Sequence, residues 1–311
     1  GERRVIFILR FLTFFVTLYL IYSIYQKHAY MKQFKLLNRI LGFMVFAIAM
    51  ATYGLTIEPT ASFWDCPEFI STAAKLEVGH PPGAPFFMLT GNFVSLFASD
   101  PTQIAYCVNM LSAFFSALTI LFLYFTITHL ARRMLVEKDQ EFALWKVITC
   151  LGSGVIGALA YTFSDTFWFS AVEAEVYAYS SFLTAIVFWL ILKWEENADQ
   201  PQSDKYLILI TYLMGLSIGI HLLNLLTIPA IVLVYYYRKY QQTSVKGMLI
   251  ALLVSFAILG FILYGLVPGF INLAGYVELL FVNTLGLPFN SGALFYCFTT
   301  VSVLIWSLIE L

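Results

Sequence analysis

This chain has little charge and few cysteines, and several common catalytic motifs are missing from it. Charged residues make up 11% of its 311 residues, against about 25% in a typical soluble domain. Its four cysteines form neither a CxxC pair nor a zinc-binding spacing. No Walker loop, GxSxG nucleophile elbow or dinucleotide fingerprint occurs. The sequence therefore does not indicate a soluble domain, a zinc-stabilised fold or a nucleotide-binding enzyme.

Hydrophobic residues dominate what is present. They make up 60% of the chain, and the mean hydropathy is +0.83. The 17 basic and 18 acidic residues nearly cancel, which argues against a nucleic-acid partner. We therefore expect an all-α, polytopic integral membrane protein in contact with membrane lipid. Cys107, Cys150 and Cys297 lie in apolar runs, so we expect only Cys66 to meet water and no disulfide to join it to the others.

The first 30 residues differ from the rest. An apolar run at 5–25 follows Arg3-Arg4 and contains Arg10, and it is compatible with a span or an uncleaved signal anchor. We treat 1–30 as an additional hydrophobic segment of uncertain origin and 31–311 as the main transmembrane domain. The chain stops inside an apolar run, so we expect a longer native protein.

Basic clusters predict the orientation of the spans, because cytoplasmic loops carry an excess of Lys and Arg. The clusters are Lys32, Lys35 and Arg39, then Arg132-Arg133, Lys193 and Lys205, and Arg238-Lys239. They place 57–100 and 268–290 outside and 131–146 and 195–205 inside. The pair of runs within 206–237 is short for two spans, so we expect a helix break around Gly219-Ile220-His221 or at Pro229.

A polar, proline-rich stretch follows the first span of this domain, residues 36–56. It begins Thr-Ile-Glu-Pro-Thr at 56–60, continues Phe-Trp-Asp-Cys-Pro-Glu-Phe at 63–69 and ends His-Pro-Pro-Gly-Ala-Pro at 80–85. Asp65, Pro67 and Glu68 are typical of a helix start, and we expect a surface helix over 67–78. Helix capping alone would explain the carboxylates of Asp65 and Glu68. A general base at the outer end of the first span would explain them as well.

Each of the other polar residues has both a structural and a functional interpretation. His80 and Lys75 can contact a phosphate at the lipid interface, although a lone histidine more often has a structural partner. Glu173 and Glu175 suit the first turn of a helix, yet carboxylates near the membrane are functional candidates. His221 and Asn224 can simply pack between helices. Asp65, Glu68 and His80 could hold a divalent metal, but their spacing matches no strong zinc pattern, so no metal ligand is assigned.

These motifs, with Glu-Ala-Glu-Val-Tyr at 173–177 and His-x-x-Asn at 221–224, resemble the bacterial branch of the membrane O-mannosyltransferase-like proteins. That branch was long catalogued as a domain of unknown function and resembles the GT-C glycosyltransferases. The resemblance covers about 31–240. It implies a GT-C-like helix bundle with a long first outer loop carrying short surface helices.

The resemblance also implies a reaction. A sugar, mannose or a related hexose, would pass from a polyprenyl-phosphate donor to a Ser or Thr hydroxyl of an exported protein. Asp65 would be the base, and Glu68 would orient the acceptor or support Asp65. Lys75, His80 and His221 would bind the donor phosphate. The acceptor side would be lined by Glu58, Trp64, Glu173, Glu175, Tyr177 and Asn224. The membrane would be the bacterial inner membrane, with the active face periplasmic and no certain cofactor besides the donor.

Other functions remain open at this point. The acceptor could be a lipid or a glycan. Intramembrane carboxylates and histidines also occur in transporters, but those usually place them at the midplane, whereas here they gather at one face. A structural subunit of an envelope complex is the remaining alternative.

Overall fold

The computed structural model describes residues 32–81, 83–136 and 143–310. All regular structure in these ranges is helical, which confirms the all-α class. The chain divides into two compact units, residues 1–227 and 228–311. The 1–30 segment lies outside the described residues, so the prediction made for it stays a prediction.

Among the described residues, five helical stretches are long and apolar enough to cross a bilayer: Lys32–Leu55, Pro101–Leu135, Leu144–Thr162, Val176–Asn197 and Val245–Thr284. Spanning the hydrocarbon core takes about 20 residues of α-helix. The protein is therefore an integral membrane protein, as its composition predicts.

The first unit contains eight α-helices within the described ranges. They are α1 (Lys32–Leu55), α2 (Cys66–Lys75), α3 (Pro85–Ser95), α4 (Ile104–Leu135), α5 (Leu144–Thr162), α6 (Asp165–Ala171), α7 (Val176–Asn197) and α8 (Asp204–Ile218). Short 3₁₀ turns cover Pro101–Gln103 and Leu222–Thr227.

Helix α4 is the centre of this unit and packs closely on α5 and α7. Small residues such as Ala113 and Ala117 are fully buried on α4, and small residues let membrane helices approach each other. Gly154 on α5 illustrates the close fit, because a Cβ there would collide with the side chains of Thr128 and Tyr124. On the α7 side, Phe115 and Tyr179 stack with ring centroids 3.7 Å apart.

The connection between α1 and α4 carries α2 and α3. Helix α2 confirms the predicted surface-loop helix, with Pro67 in its first turn. It ends three residues before the predicted position 78, because Leu76 adopts a left-handed conformation (φ 54°) whose N–H bonds back to Ala73. Cys66, the first residue of α2, is fully buried, so the expectation that it meets water is wrong. Cys66 forms no disulfide, as predicted, and the other three cysteines are also free.

A break follows α8, as predicted. The helix ends at Ile218, Gly219 and Ile220 form a turn, and the 3₁₀ segment begins at Leu222. Pro229 lies in the first turn of the next helix rather than at a second break.

The second unit consists of α9 (Ile228–Lys239), α10 (Val245–Gly260), α11 (Val267–Leu279) and α12 (Ser291–Ile309), with π-helical turns at Phe261–Leu266 and Leu280–Thr284. The predicted outer loop at 268–290 is wrong, because helix continues from Val245 to Thr284. Pro268 lies in the first turn after a π-helical turn, where a local change of helical pitch accommodates a residue without an N–H.

Candidate active site

Asp65 is the residue that precedes α2, but its carboxylate does not cap the helix. Only its backbone oxygen takes part, accepting from the N–H of Phe69 at 2.9 Å. The preceding Trp64 is left-handed (φ 60°) and 89% exposed, a conformation that costs a bulky residue about 1–2 kcal/mol. The Asp65 side chain is exposed and lines a small cavity beside α2. Helix capping therefore does not account for this carboxylate.

Glu68, in the first turn of α2, holds the loop that returns after the helix. Its Oε1 accepts a 2.6 Å hydrogen bond from the backbone N–H of His80, and its Oε2 lies 3.1 Å from His80 Nδ1. The His80 ring also contacts Phe69, with ring centroids 5.8 Å apart. The bond from the His80 N–H, followed by the one from its ring, lowers the pKa of Glu68. Glu68 thus positions His80 beside Asp65.

The loop after His80 brings the break that follows α8 to the same place. Gly83 (φ 92°) and Ala84 (φ 40°) are left-handed and turn the chain into α3. The N–H of Phe86 then donates to the backbone oxygen of Gly219 at 2.7 Å. A Cβ on Gly219 would lie 2.9 Å from Phe86 Cβ, so glycine allows this approach. His221 follows two residues later.

Two buried carboxylates precede α7 rather than lying in its first turn. Glu175 is the residue just before the helix, and Glu173 lies two residues earlier. They are 7% and 5% exposed. Within the described residues, Glu175 Oε2 has no hydrogen-bond partner. Burial, followed by the charges of Glu173 and Asp65, raises the pKa of Glu175 to about 7. Burial also raises the pKa of Glu173, against a hydrogen bond from Ser62.

These pieces enclose a cavity of about 70 Å³. Five of the residues singled out in the sequence line it, namely Asp65, His80, Glu175, Tyr177 and His221. The rings of Tyr177 and His221 face each other at 5.3 Å. Burial lowers the pKa of His221, and its Nδ1 accepts from the N–H of Leu223 at 3.2 Å. The cavity is therefore lined by the carboxylate of Asp65, the carboxyl group of Glu175, whose pKa is about 7, and the imidazoles of His80 and His221.

The other predicted site residues do not line this cavity. Lys75 is exposed in the last turn of α2, and Trp64 is also exposed. Glu58 accepts hydrogen bonds from Thr60. Asn224 is fully buried, and neither of its side-chain polar atoms has a partner within the described ranges. Glu173 lies beside the cavity rather than on its wall.

Sequence reasoning missed Asn109. This α4 residue is fully buried, and its Nδ2 donates to the backbone oxygens of Glu58 and Thr60 at 2.7 and 2.9 Å. Its Oδ1 lies 3.9 Å from Cys66 Sγ. Asn109 thereby ties the loop before Asp65 to the central helix. A lone asparagine in an apolar helix was the available signal.

A divalent cation fits one corner of the site. Asp65, Glu68 and His80 each offer one ligand atom, and these atoms lie within 4.8 Å of one another. Two carboxylates and an imidazole suit an ion such as Mn²⁺ or Zn²⁺. Glu68 and His80 already satisfy each other, so the trio does not require a metal to be stable.

The part of the chain that contains the candidate active site is similar to known proteins. Residues 65–244 match the family described as "Protein O-mannosyl-transferase TMEM260 N-terminal domain". The match begins at Asp65 and includes all the residues that line the cavity. No solved structure matches the chain.

Two curated relatives are similar to it. "Protein O-mannosyl-transferase TMEM260" of Mus musculus is 26% identical over 175 residues, which is 56% of this chain and 22% of the relative. "Protein O-mannosyl-transferase tmem260" of Dictyostelium discoideum is 24% identical over 197 residues, 61% of this chain and 22% of the relative. The alignments thus cover about a fifth of each relative's length. Both relatives are eukaryotic and do not support the bacterial assignment expected from the sequence.

Proposed function

Because the chain belongs to the family of the TMEM260 O-mannosyl-transferase N-terminal domain, we propose that it is a membrane glycosyltransferase that transfers a sugar to protein hydroxyls. The donor is a mannose, or a related hexose, on polyprenyl phosphate, and the acceptor is a Ser or Thr of an exported protein. The site faces the non-cytoplasmic side, periplasmic or lumenal. The observation that carries this proposal is the Asp65 carboxylate, which is unused in helix capping and lines a cavity with His80, Glu175 and His221.

In this reaction Asp65 removes the proton from the acceptor hydroxyl. The hydroxyl oxygen then forms a bond to the anomeric carbon of the sugar, and the bond from that carbon to the phosphate oxygen breaks with inversion. The phosphate leaves with the electron pair, and its charge is stabilised by hydrogen bonds from His80 and His221. Lys75 is exposed at the end of α2 and does not line the cavity, so the two histidines are the better phosphate ligands.

Glu68 and Glu175 have different parts in this scheme. Glu68 holds the His80 loop through the two bonds described above and therefore acts on the reaction indirectly. Glu175 shares the cavity with Asp65, whose negative charge adds to burial in raising the pKa of Glu175. A divalent cation held by Asp65, Glu68 and His80 would polarise the donor phosphate, and activity measured with and without a chelator shows whether one is needed.

The decisive variant is Asp65→Asn. Asparagine keeps the size and can still precede a helix, but it cannot accept the hydroxyl proton. We expect sugar transfer from polyprenyl-phosphate mannose to a Ser/Thr peptide to fall about 10²–10⁴-fold, the usual contribution of a general base, with an unchanged melting temperature.

Glu77→Gln is the matched control, because Glu77 is an exposed carboxylate just after the same helix and does not line the cavity. It should transfer sugar at the wild-type rate. Near-normal transfer by Asp65→Asn would contradict the assignment of the base. Absence of transfer by the wild-type protein with every polyprenyl-phosphate hexose tested would contradict the proposed reaction itself.

A further inference from the structure

The opposite end of the first unit contains a second cavity, of about 690 Å³, between α1, α4, α7 and α8. Basic side chains from three helices line it: Lys35 and Arg39 from α1, Arg132 from α4 and Lys193 from α7. His129 and Glu196 also line it. We call this group of six residues the basic pocket. None of them belongs to the candidate active site.

Glu196 organises part of this pocket. It forms ion pairs with Arg132 and with Lys193, whose Nζ lies 3.0 Å from Glu196 Oε2. The buried His129 approaches the same oxygen with its Nδ1 at 3.9 Å. Lys193 also lies over the Trp189 ring, 5.7 Å from its centroid. These contacts hold Arg132 and Lys193 in place before any ligand arrives, which lowers the entropic cost of binding one.

Positive charge exceeds negative charge in the pocket. Four cationic side chains line it, and among the described lining residues Glu196 supplies the one carboxylate. The neighbouring carboxylate, Glu195, is paired with Arg133 instead. A site with this charge excess attracts an anion, and an arginine beside lysines suits phosphate oxygens in particular.

The pocket also has an apolar wall. Phe43, Phe125 and Trp189 line it, and α1 approaches α4 closely at Gly42, where a Cβ would lie 2.8 Å from Phe125 Cζ. Asn38 adds a buried side-chain oxygen that has no hydrogen-bond partner within the described ranges. A ligand that fits must therefore combine an anionic group, a hydrogen-bond donor and an apolar part.

We propose that the basic pocket binds the headgroup of an anionic phospholipid, with the phosphate between Lys35, Arg39 and Arg132. The lipid's hydroxyl or amine donates to Asn38, and its glycerol and chains lie against Phe43 and Trp189. The volume falls in the range of small-molecule sites, about 300–1,000 Å³. Basic pockets between membrane helices are known sites for such headgroups. This site is independent of the proposed sugar transfer.

A simpler explanation of these basic residues is the general excess of Lys and Arg at one membrane face. If that explanation holds, every surface cation contributes equally to the binding of anionic lipid. Lys32 is exposed one turn before Lys35 on the same helix but does not line the pocket. Comparing Lys32 with Lys35 and Arg39 therefore distinguishes a specific binding site from a general attraction to surface charge.

The test measures lipid binding to the full chain in a neutral detergent by native mass spectrometry. Phosphatidylglycerol is compared with phosphatidylcholine of the same acyl chains. We expect phosphatidylglycerol to bind at least about tenfold more tightly. A membrane-adjacent cation contributes about 1 kcal/mol, so Lys35→Gln and Arg39→Gln should each weaken phosphatidylglycerol binding about fivefold.

Lys32→Gln should leave that affinity within about twofold. Equal binding of the two lipids would overturn the proposal, as would an equal loss in Lys32→Gln and Arg39→Gln. Inorganic phosphate is the third probe. If it binds in the same Arg39-dependent manner while phosphatidylglycerol shows no preference, the ligand is a soluble phosphate compound and the assignment to a lipid is wrong.

Discussion

At the residue scale, the candidate active site depends on polar side chains such as Asp65, whose carboxylate forms no helix-capping hydrogen bond. From sequence alone, helix capping explained Asp65 as well as catalysis did. In the structure its carboxylate makes no capping bond, whereas Glu68 holds a loop. The spacing of Asp65 and Glu68 in the sequence could not assign them different roles. Their roles differ because Glu68 binds His80, which lies twelve positions after Glu68 in the chain.

Glu175 provides a prediction about pH. Its pKa in the folded protein is about 7, above the ordinary 4.5, because it is buried. The folded state therefore binds more protons than the unfolded state between these two values, and stability falls as pH rises through this window. Replacing Glu175 with Gln should remove that loss, which is at most about 3 kcal/mol. Melting temperatures in detergent at pH 5 and pH 8 measure it.

We expect Glu175→Gln to melt at a higher temperature than wild type at pH 8 and close to it at pH 5. Glu77→Gln serves as the control, since Glu77 is exposed, and it should not change the pH dependence. A wild-type protein whose stability is flat across this window would show that Glu175 does not titrate as described.

At the element scale, two breaks in regular structure make the site. One is the 3₁₀-flanked break after α8, which the sequence predicted from the short pair of apolar runs. The other is the left-handed turn at Gly83 and Ala84 that starts α3. The contact between them, from Phe86 to Gly219, was not predictable, because nothing in either segment specifies its distant partner.

Gly219 tests this contact. A Cβ there would lie 2.9 Å from Phe86 Cβ and 3.4 Å from the Leu216 oxygen, although its φ of −76° is allowed for any residue. We expect Gly219→Ala to destabilise the protein by about 1–3 kcal/mol, the usual cost of overpacking. It should also reduce sugar transfer, because His221 moves away from Asp65.

Gly215→Ala is the matched control. Gly215 lies one turn earlier in α8, and a Cβ there meets nothing within 4 Å. Alanine is favoured over glycine inside a helix by up to about 1 kcal/mol, so this variant should melt at or above the wild-type temperature. A Gly219→Ala protein as stable and active as Gly215→Ala would mean that the two loops need not approach so closely.

The sequence was misleading at 268–290. The charge rule placed this stretch in an outer loop, yet helix continues to Thr284. Glu278, expected on an outer loop, instead accepts from the N–H groups of Asn290 and Ala293 at 2.6 and 2.8 Å. A carboxylate at a helix start satisfies free N–H groups there. The polarity of Glu278 alone did not reveal that it caps the start of another helix, α12.

At the scale of the whole molecule, composition predicted the membrane class and the helical fold, because long apolar segments must satisfy their backbone groups internally. It could not predict which polar residues meet. In the first unit the structure separates them into two ends, with the acidic site around Asp65 and Glu175 at one and the basic pocket at the other. Ion pairs of Arg132 with Glu196 and of Arg133 with Glu195 join α4 and α7 at the basic end.

The orientation of the first unit in the membrane stays a prediction, and it rests on these same basic residues. Basic residues gather on the cytoplasmic side of a membrane, so the end with Lys35, Arg132 and Lys193 should be cytoplasmic and the candidate active site should face the opposite side. Ser99 precedes the first residue of α4, and Gln202 precedes the first residue of α8. Both are exposed, which makes them suitable positions for single labelling cysteines.

We expect a membrane-impermeant thiol reagent to label Ser99→Cys from outside sealed cells, and Gln202→Cys only after the membrane is opened. The background protein needs Cys297→Ser, because Cys297 is exposed, whereas Cys66 and Cys150 are buried. Labelling of the unsubstituted background under the same conditions controls for Cys107. If both positions react from the same side, the charge rule does not govern this chain. If Gln202→Cys alone reacts from outside, the candidate active site faces the cytoplasm, and a donor sugar presented on the outer side could not reach Asp65.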